Sequence, residues 1–492
     1  MSGVLARPAN PGTYVGLVGE QTVRPPSSIS QVVAIPIVHD WGPLGSDAEG
    51  IQRLGTFGEF EQIFGNSSTA GRDAIMGAFV GPGVSDKAAA GEVLAYRMAK
   101  EAAASTLTIK NTPGAVNALK LTAYYTGKRG DRISIKTEDD PVDATKDRIS
   151  ILFDGVVVER YSFTEATITE AATLINASSK LVKAESLVSG TKLATTASTP
   201  LAGGANGETL TATQWTAAME ALEFEDFSIF APFDLTTAEI ITSVFTWTQA
   251  QAELQRPITT ILGGSKSEEL ASAITAVSSI RDPHVIRLTG GAFFDEFLGK
   301  EVSTSQLAPR IAGVLAGCGE EASLTFAQVA GLKQVGTVNI SADELTVAAA
   351  QGLTVFRRTQ SAGASLMISK GVTTFNSQTD KTRPYELFSD PRIVRVADLF
   401  LRRMKVWGDE NIIGDSRVTD TSKAAVRQQG TAEINALLDR GLIQAGVLSE
   451  GSQPFFRVLE DNPPHLQDAI IFEFGWKFVR TTNYLLGSGQ VK

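Results

Sequence analysis

The chain has 492 residues, 43 % of them hydrophobic and 20 % charged, enough apolar material for cores in roughly two to four domains. Its formal net charge of −10 argues against a nucleic-acid binder, which needs a basic stripe to neutralise phosphates, and against adhesion to an anionic membrane. Cys318 is the one cysteine, so no intramolecular disulfide is available, and its setting in VLAGCGEEAS reads as a small residue in or beside a packed helix.

Residues 1–30 read as a stiff, extended arm. Tyr14, Val15, Leu17 and Val18 suit a strand, and Pro8, Pro11, Pro25 and Pro26 fence it on both sides. No partner strand lies nearby in the sequence. The opening residues lack the apolar core of a secretory signal, and no window reaches the ~18–20 apolar residues of a membrane span. Synthesis and folding in a cytoplasm are the expectation.

Residues 31–112 read as the first part of a core domain. QVVAIPIVHDWGPLG is an apolar strand ended by turn residues, and TFGEFEQIFG is a short amphipathic helix with Phe57, Phe60, Ile63 and Phe64 on one side. AGEVLAYRMAK fits a short helix or a strand, and STLTIKNT is a strand.

Residues 113–203 change character and read as an inserted, β-rich, peripheral domain. Long runs alternate apolar and polar residues, and Asp154-Gly155 between two such runs is a two-residue hairpin signal. The block closes in a loop rich in Thr, Ser, Ala and Gly.

Residues 204–384 read as an α/β core. TLTATQWTAAMEALE sets Trp215, Met219 and Leu222 on one helix face. DFSIFAPF, RPITTILGG and HVIRLTGG read as strands separated by helices, a pattern that favours parallel strands. LAPRIAGVLAGC and SADELTVAAAQGLTVFRR are expected to add helices, and ASLMISKGVTTF a strand.

Residues 385–480 form a C-terminal α+β domain, and 481–492 a second arm. Asp390-Pro391 opens a helix whose apolar stripe is Ile393, Val396, Leu399, Phe400 and Met404. A second amphipathic helix spans TSKAAVRQQGTAEINALLDRGLI. PFFRVLED and DAIIFEFGWKFVRTTNYLL read as strands, with Ile470, Phe472, Phe474, Trp476 and Phe478 at every second position. The fold class is thus mixed α/β and α+β, multidomain, with extended terminal arms.

A search for chemistry finds no catalytic constellation. His39, His284 and His465 are far apart, and none sits at metal-ligand spacing. No nucleophile elbow or phosphate-binding P-loop is present. LGGSKSEEL resembles a P-loop only superficially, because the first glycine of the motif would fall at Ile258; a tight turn with Ser265 or Ser267 as helix N-cap is the better reading. The basic cluster Arg402, Arg403 and Lys405 fits either favourable charge toward a helix C-terminus or a patch for an acidic partner protein. No catalytic residue, cofactor or metal is expected, and strand-like segments at both termini point to a self-associating structural protein.

RPANPGTYV, VVAIPIVHDWGPLG and TFGEFEQIFG, followed by YYTGKRGDRISI, LAGGANGETLTATQWTAAMEALE, LAPRIAGVLAG and ISKGVTTF, resemble in order the segments of contractile tail sheath proteins. The type is the one with an inserted β domain. Ala9 and Asn10 depart from it, standing where the family has Pro-Gly directly after Arg.

That resemblance implies a subunit of stacked hexameric rings around an inner tube. The rings contract to drive the tube through a target envelope, without nucleotide. The partners implied are other copies of the chain, the inner tail tube protein, and baseplate and tail terminator proteins, with no nucleic acid and no membrane insertion. The place implied is a virion tail or phage-tail-like particle, made in a host bacterial cytoplasm. Tyr14, Val15, Leu17 and Val18, with Thr482, Tyr484, Leu485 and Leu486, would be donated strands. Phe455, Phe456, Val458, Phe472, Phe474, Trp476 and Phe478 would belong to the acceptor strands. Arg402, Arg403 and Lys405 would face the tube. The alternatives are another self-assembling tail or baseplate protein, which the α/β stretch at 224–290 disfavours if a tube, and a nucleotide-binding α/β protein.

Overall fold

A computed structural model describes residues 31–48, 50–84, 87–112, 114, 116–188, 190–320, 323–335, 341–358, 366–375, 388–413, 418–445, 454–460 and 470–478. Its centre is a nine-stranded sheet. Six strands run parallel, in the spatial order Leu353–Arg358, Val285–Leu288, Thr259–Leu262, Ile229–Phe230, Val32–Ile37 and Glu92–Arg97. Antiparallel strands close both ends: Gln52–Leu54 at one, Leu366–Lys370 and Gln328–Val329 at the other.

Strand Val32–Ile37 is buried along its whole length, as expected of a strand covered on both faces. Val33, Ile35 and Ile37 pack on one side with Phe60, Phe64, Ile75 and Ile311. Val32 and Ala34 pack on the other with Trp215, Met219, Leu222 and Val244. Pro36 is tolerated in this central strand for a local reason. The Ala34 carbonyl accepts from Ala231 N–H, whereas the Ile37 carbonyl accepts from Met98 N–H. Even-numbered residues therefore face the short strand Ile229–Phe230, and the missing N–H of Pro36 falls beyond its end.

The ambiguous AGEVLAYRMAK segment is a strand, Glu92–Arg97. SADELTVAAAQGLTVFRR is only half helical. Helix Ala342–Ala350 stops before Gly352, which has φ 90°, and Leu353–Arg358 is a strand in the main sheet. Glycine supplies the left-handed turn, and β-branched Thr354 and Val355 then favour the sheet.

Between Glu92–Arg97 and Ile229–Phe230 the chain leaves to build a β-rich part. It has a four-stranded sheet, in the order Thr196–Pro200, Ile133–Asp139, Lys146–Phe153 and Val156–Thr164. Its three-stranded sheet has the order Thr106–Lys110, Asn117–Ala123 and Val182–Ser186. Helix Ile168–Ser178 packs on both, and the two sheets share one core. The Asp154-Gly155 hairpin forms with φ 51° and 80°, the left-handed pair that such turns require. Thr106–Lys110, which falls in the 31–112 segment, pairs with Asn117–Ala123 and contributes Ile109 to this core. The bridge between Ala103 and Ala205 marks the neck where the two connections meet.

Arg97 fixes this part to the core. Its guanidinium is 1 % exposed and donates to the carbonyls of His39 (3.0 Å), Gly42 (2.5 Å) and Thr126 (2.8 Å). Burial pulls its pKa down to about 10, against the pull of Asp40 and Asp47.

Candidate assembly interface

The C-terminal part is built from two helices and short strands. Asp390 caps helix Pro391–Asn411, accepting from Arg392 N–H, with Pro391 in the first turn. Its stripe of Ile393, Val396, Leu399, Phe400 and Met404 is buried. Helix Asp420–Asp439 packs against strand Phe455–Val458 through Gly430, where a Cβ would lie 2.4 Å from the Phe456 ring.

Phe455–Val458 pairs antiparallel with Phe472–Gly475, matching Phe456 with Phe474 and Val458 with Phe472. Alternation puts Phe456, Phe472 and Phe474 on one face. Phe400 receives them, with ring centroids 4.7 Å from Phe474 and 4.9 Å from Trp476. Phe456 stacks on Phe472 at 4.9 Å, and Phe474 on Trp476 at 4.8 Å. Arg457 and Glu473 pair on the other face. The strand expected from Ile470 onward is broken after Gly475, and Lys477–Phe478 turns to pair with Ile443–Gln444.

Among the described residues this sheet has only two strands. Among those residues neither strand has a second partner, and an unpaired strand edge is a template for an added strand. The residues proposed as acceptors from sequence, Phe455, Phe456, Val458, Phe472, Phe474, Trp476 and Phe478, all lie in or beside these strands. The arm residues, Tyr14, Val15, Leu17, Val18, Thr482, Tyr484, Leu485 and Leu486, lie outside the described residues.

The basic cluster does not act as a unit. Arg402 turns inward and donates to the carbonyls of Phe227 (3.0 Å) and Pro257, joining the C-terminal helix to the core. Burial lowers its pKa, opposed by Asp398 and Asp226. Arg403 pairs with Glu433 at 3.0 Å, and Lys405 with Asp409 at 2.6 Å, both at the surface. Helical spacing separates adjacent residues by about 100°, so neighbours in sequence face different surroundings.

Sequence reasoning missed the joint between core and C-terminal part. Around Arg402 it holds Arg395, donating to the carbonyls of Leu315 (3.1 Å) and Gly319 (2.7 Å), and Arg440 with Glu320 at 2.9 Å. His284 Nε2 lies 3.2 Å from Asp398, and its Nδ1 lies 3.4 Å from Asp282. Burial opposes a charge on His284, but the two carboxylates outweigh it and push its pKa up to about 10. The sequence signal was a lone His284 at the head of HVIRLTGG.

Chemistry of other kinds has little to stand on. His39 is buried against Phe60, and burial lowers its pKa despite Asp40. Among the described residues no group of three or more His, Cys, Asp and Glu side chains is placed to hold a metal ion. No helix among them is long and apolar enough to cross a membrane. His465 lies outside the described residues.

Parallel α/β sheets bind ligands where strand order reverses, outside the carboxyl ends of the strands. Here that point lies between Val32–Ile37 and Ile229–Phe230. Helix Thr304–Gly317 fills the region, with Ser305 N–H donating to the Gly264 carbonyl and Ser305 Oγ to Asp234. A Cβ on Gly263 would lie 2.2 Å from the Ser305 nitrogen. The glycines of LGGSK thus admit a helix rather than a phosphate. The following helix starts at Leu270, with Glu269 rather than Ser265 or Ser267 at its N-cap.

No family model matches the sequence, and no curated protein matches it. The fold does have solved counterparts. The sheath tail protein of Desulfitobacterium hafniense superposes with a TM-score of 0.67 at 18 % identity, over 95 % of this chain and 100 % of that one. A sheath tail protein of Listeria innocua gives 0.68 at 18 % identity, over 92 % of each chain. The helical sheath of the anti-feeding prophage in its contracted state gives 0.53 at 12 % identity, over 98 % of this chain and 99 % of that one. The chain therefore has the multidomain α+β fold of contractile sheath proteins, over nearly its whole length.

Proposed function

We propose that this chain is the structural subunit of a contractile tail sheath. Copies polymerise as stacked hexameric rings around an inner tube and contract to drive that tube through a target envelope. No catalytic step is involved, because the work comes from relaxation of a metastable extended lattice. The particle is a phage tail or a phage-tail-like injection device, assembled from protein made in a bacterial cytoplasm. Its partners are other copies of the chain, the tube, and the baseplate and terminator proteins at the two ends.

The observation that carries this reading is the full-length match to sheath folds, and beside it stands a C-terminal sheet that has two strands among the described residues. We take residues 1–30 and 481–492 as the strands that neighbouring copies add to those edges. About six new backbone hydrogen bonds, at roughly 0.5–1.5 kcal/mol net each, supply on the order of 3–9 kcal/mol per arm before the cost of ordering it. Arg403 and Lys405 are the cations offered to an acidic tube surface, since each gives up only a surface ion pair to do so.

The test is negative-stain electron microscopy of the purified protein, with and without the tube protein, beside a variant lacking residues 1–24. Hollow striated tubes from the full chain, lost in the truncation, are expected. Tubes from both would remove the N-terminal arm from the mesh. Absence of tubes from the full chain even with the tube protein would end the sheath reading.

A further inference from the structure

A helical polymer needs a head-to-tail contact, a projection on one copy fitting a recess elsewhere on the next. The surface carries one such pair. Phe224 is 85 % exposed, in the Glu223-Phe224-Glu225-Asp226 loop that leads into the amino end of strand Ile229–Phe230. A phenylalanine so exposed contributes little to its own fold, and a large exposed apolar group marks a contact surface when a matching recess exists.

The recess is a cleft of about 530 Å³ between core and β-rich part. Its apolar walls include Ile63, Tyr124, Tyr125, Phe153 and Leu181. It follows the carboxyl end of strand Val32–Ile37, which is parallel to Ile229–Phe230, so projection and recess lie toward opposite ends of the sheet. One phenyl ring fits easily in this volume.

Charge complements shape. Arg129 and Lys180 line the cleft, and Lys183 sits over the Tyr124 ring at 4.4 Å. Arg129 and Arg132 flank the Phe153 ring at 4.5 and 4.9 Å. Glu61 is the acidic lining residue, and Arg72 pairs with it at 3.4 Å. Lys180 and Lys183 are exposed, and Lys180 N–H donates to the Glu159 carboxylate at 3.2 Å. Three of the four loop residues are acidic, with Arg53, Arg256 and Arg402 at its base. Glu225 is held by Arg53 at 2.5 Å and Glu223 by Gln251 at 2.9 Å, which fixes the loop, while Asp226 is exposed.

We infer that Phe224 of one copy seats in the cleft beside Tyr124 and Tyr125 of the next, with Asp226 approaching Lys180. The inference rests on the sheath reading. It also makes the β-rich part a contributor to assembly rather than a purely peripheral attachment.

The test measures the critical concentration for tube formation by sedimentation and microscopy, on the full chain with tube protein present. Phe224→Ala and Lys180→Glu should each raise it about tenfold or more, the scale of one buried aromatic ring or one desolvated pair. Lys180→Glu combined with Asp226→Lys should recover most of the loss. Phe224 and Lys180 are exposed, so unchanged melting temperatures are expected of the single variants and separate assembly from folding, while the double variant is read beside Asp226→Lys alone because Asp226 also faces Arg402. In a Cys318→Ser background, Phe224→Cys with Lys180→Cys should form chain-to-chain disulfide ladders on mild oxidation of assembled tubes. Tubes that form normally in the single variants and give no ladder overturn the contact and leave the sheath reading standing. Cross-linking of the Phe224→Cys thiol to another protein alone would also overturn it. No tubes from the unmodified chain would defeat both.

Discussion

His284 Nε2 lies 3.2 Å from the carboxylate of Asp398, and the two residues come from parts of the chain with separate cores. His284 follows the turn into a core strand, and Asp398 sits on the first C-terminal helix. Around them the joint is made largely of charged groups and backbone carbonyls.

The first prediction concerns pH. His284 has a folded pKa of about 10, above its ordinary 6.5, so it binds its proton more tightly in the folded chain. Its stabilisation is fully present below pH 6.5 and is lost as pH rises toward 10. The melting temperature of the unmodified chain should fall over that window more steeply than that of His284→Gln. Parallel curves from pH 6 to 10.5 would show that the pair contributes nothing.

The second concerns Arg402. Its loss strands the carbonyls of Phe227 and Pro257, at a cost of about 1–3 kcal/mol. Arg402→Ala should lower stability by that amount and speed amide exchange along helix Pro391–Asn411. Arg403→Ala should leave both unchanged within about 0.5 kcal/mol, because its pair with Glu433 is at the surface. Equal effects would mean that the joint is not held by Arg402.

The third concerns the aromatic cluster. Phe400 is fully buried beneath Phe474 and Trp476, so Phe400→Ala should cost about 3–5 kcal/mol. Denaturant unfolding followed by near-ultraviolet circular dichroism reads both the loss of stability and the loss of ring packing. A cost below about 1 kcal/mol would show that the sheet is not seated there.

The fourth concerns the turn that resembles a phosphate loop. Gly263→Ala places a methyl group 2.2 Å from a backbone nitrogen of the neighbouring helix, and backbone cannot rotate away. A loss of about 1–3 kcal/mol or more is expected, with no nucleotide binding by calorimetry in either form. Nucleotide binding by the unmodified chain would reopen the enzyme reading.

Much of the fold was legible because burial writes its period into the residues. The stripe from Ile393 to Met404, the alternation from Phe472 to Trp476 and the Asp154-Gly155 turn each follow from local geometry. Local signals failed where they were mixed. Leu353–Arg358 was hidden behind a good helix former, and Gly352 was the residue that marked the change. Strands Phe455–Val458 and Phe472–Gly475 were legible from the same alternation, but the joint was not. Arg402 looks like its neighbours in sequence, and only tertiary placement shows that it spends its donors on two core carbonyls. His284 and Asp398 are 114 positions apart, and no period connects them.

The position of strand Val32–Ile37 has a mechanical consequence. It starts one residue into the described chain, and it lies between two parallel neighbours, third from one edge of the main sheet. Consider tension applied at Val32 along the strand's own axis. The six register pairs with Glu92–Arg97 would bear that load together, in shear, and would have to fail together. A strand added at an edge of the Phe455–Val458 and Phe472–Gly475 sheet is the opposite case, since it would be held on one side only. In a lattice linked by arms, the anchored end of the N-terminal link is thus the strong one, and a link that slips should give way at its docked end.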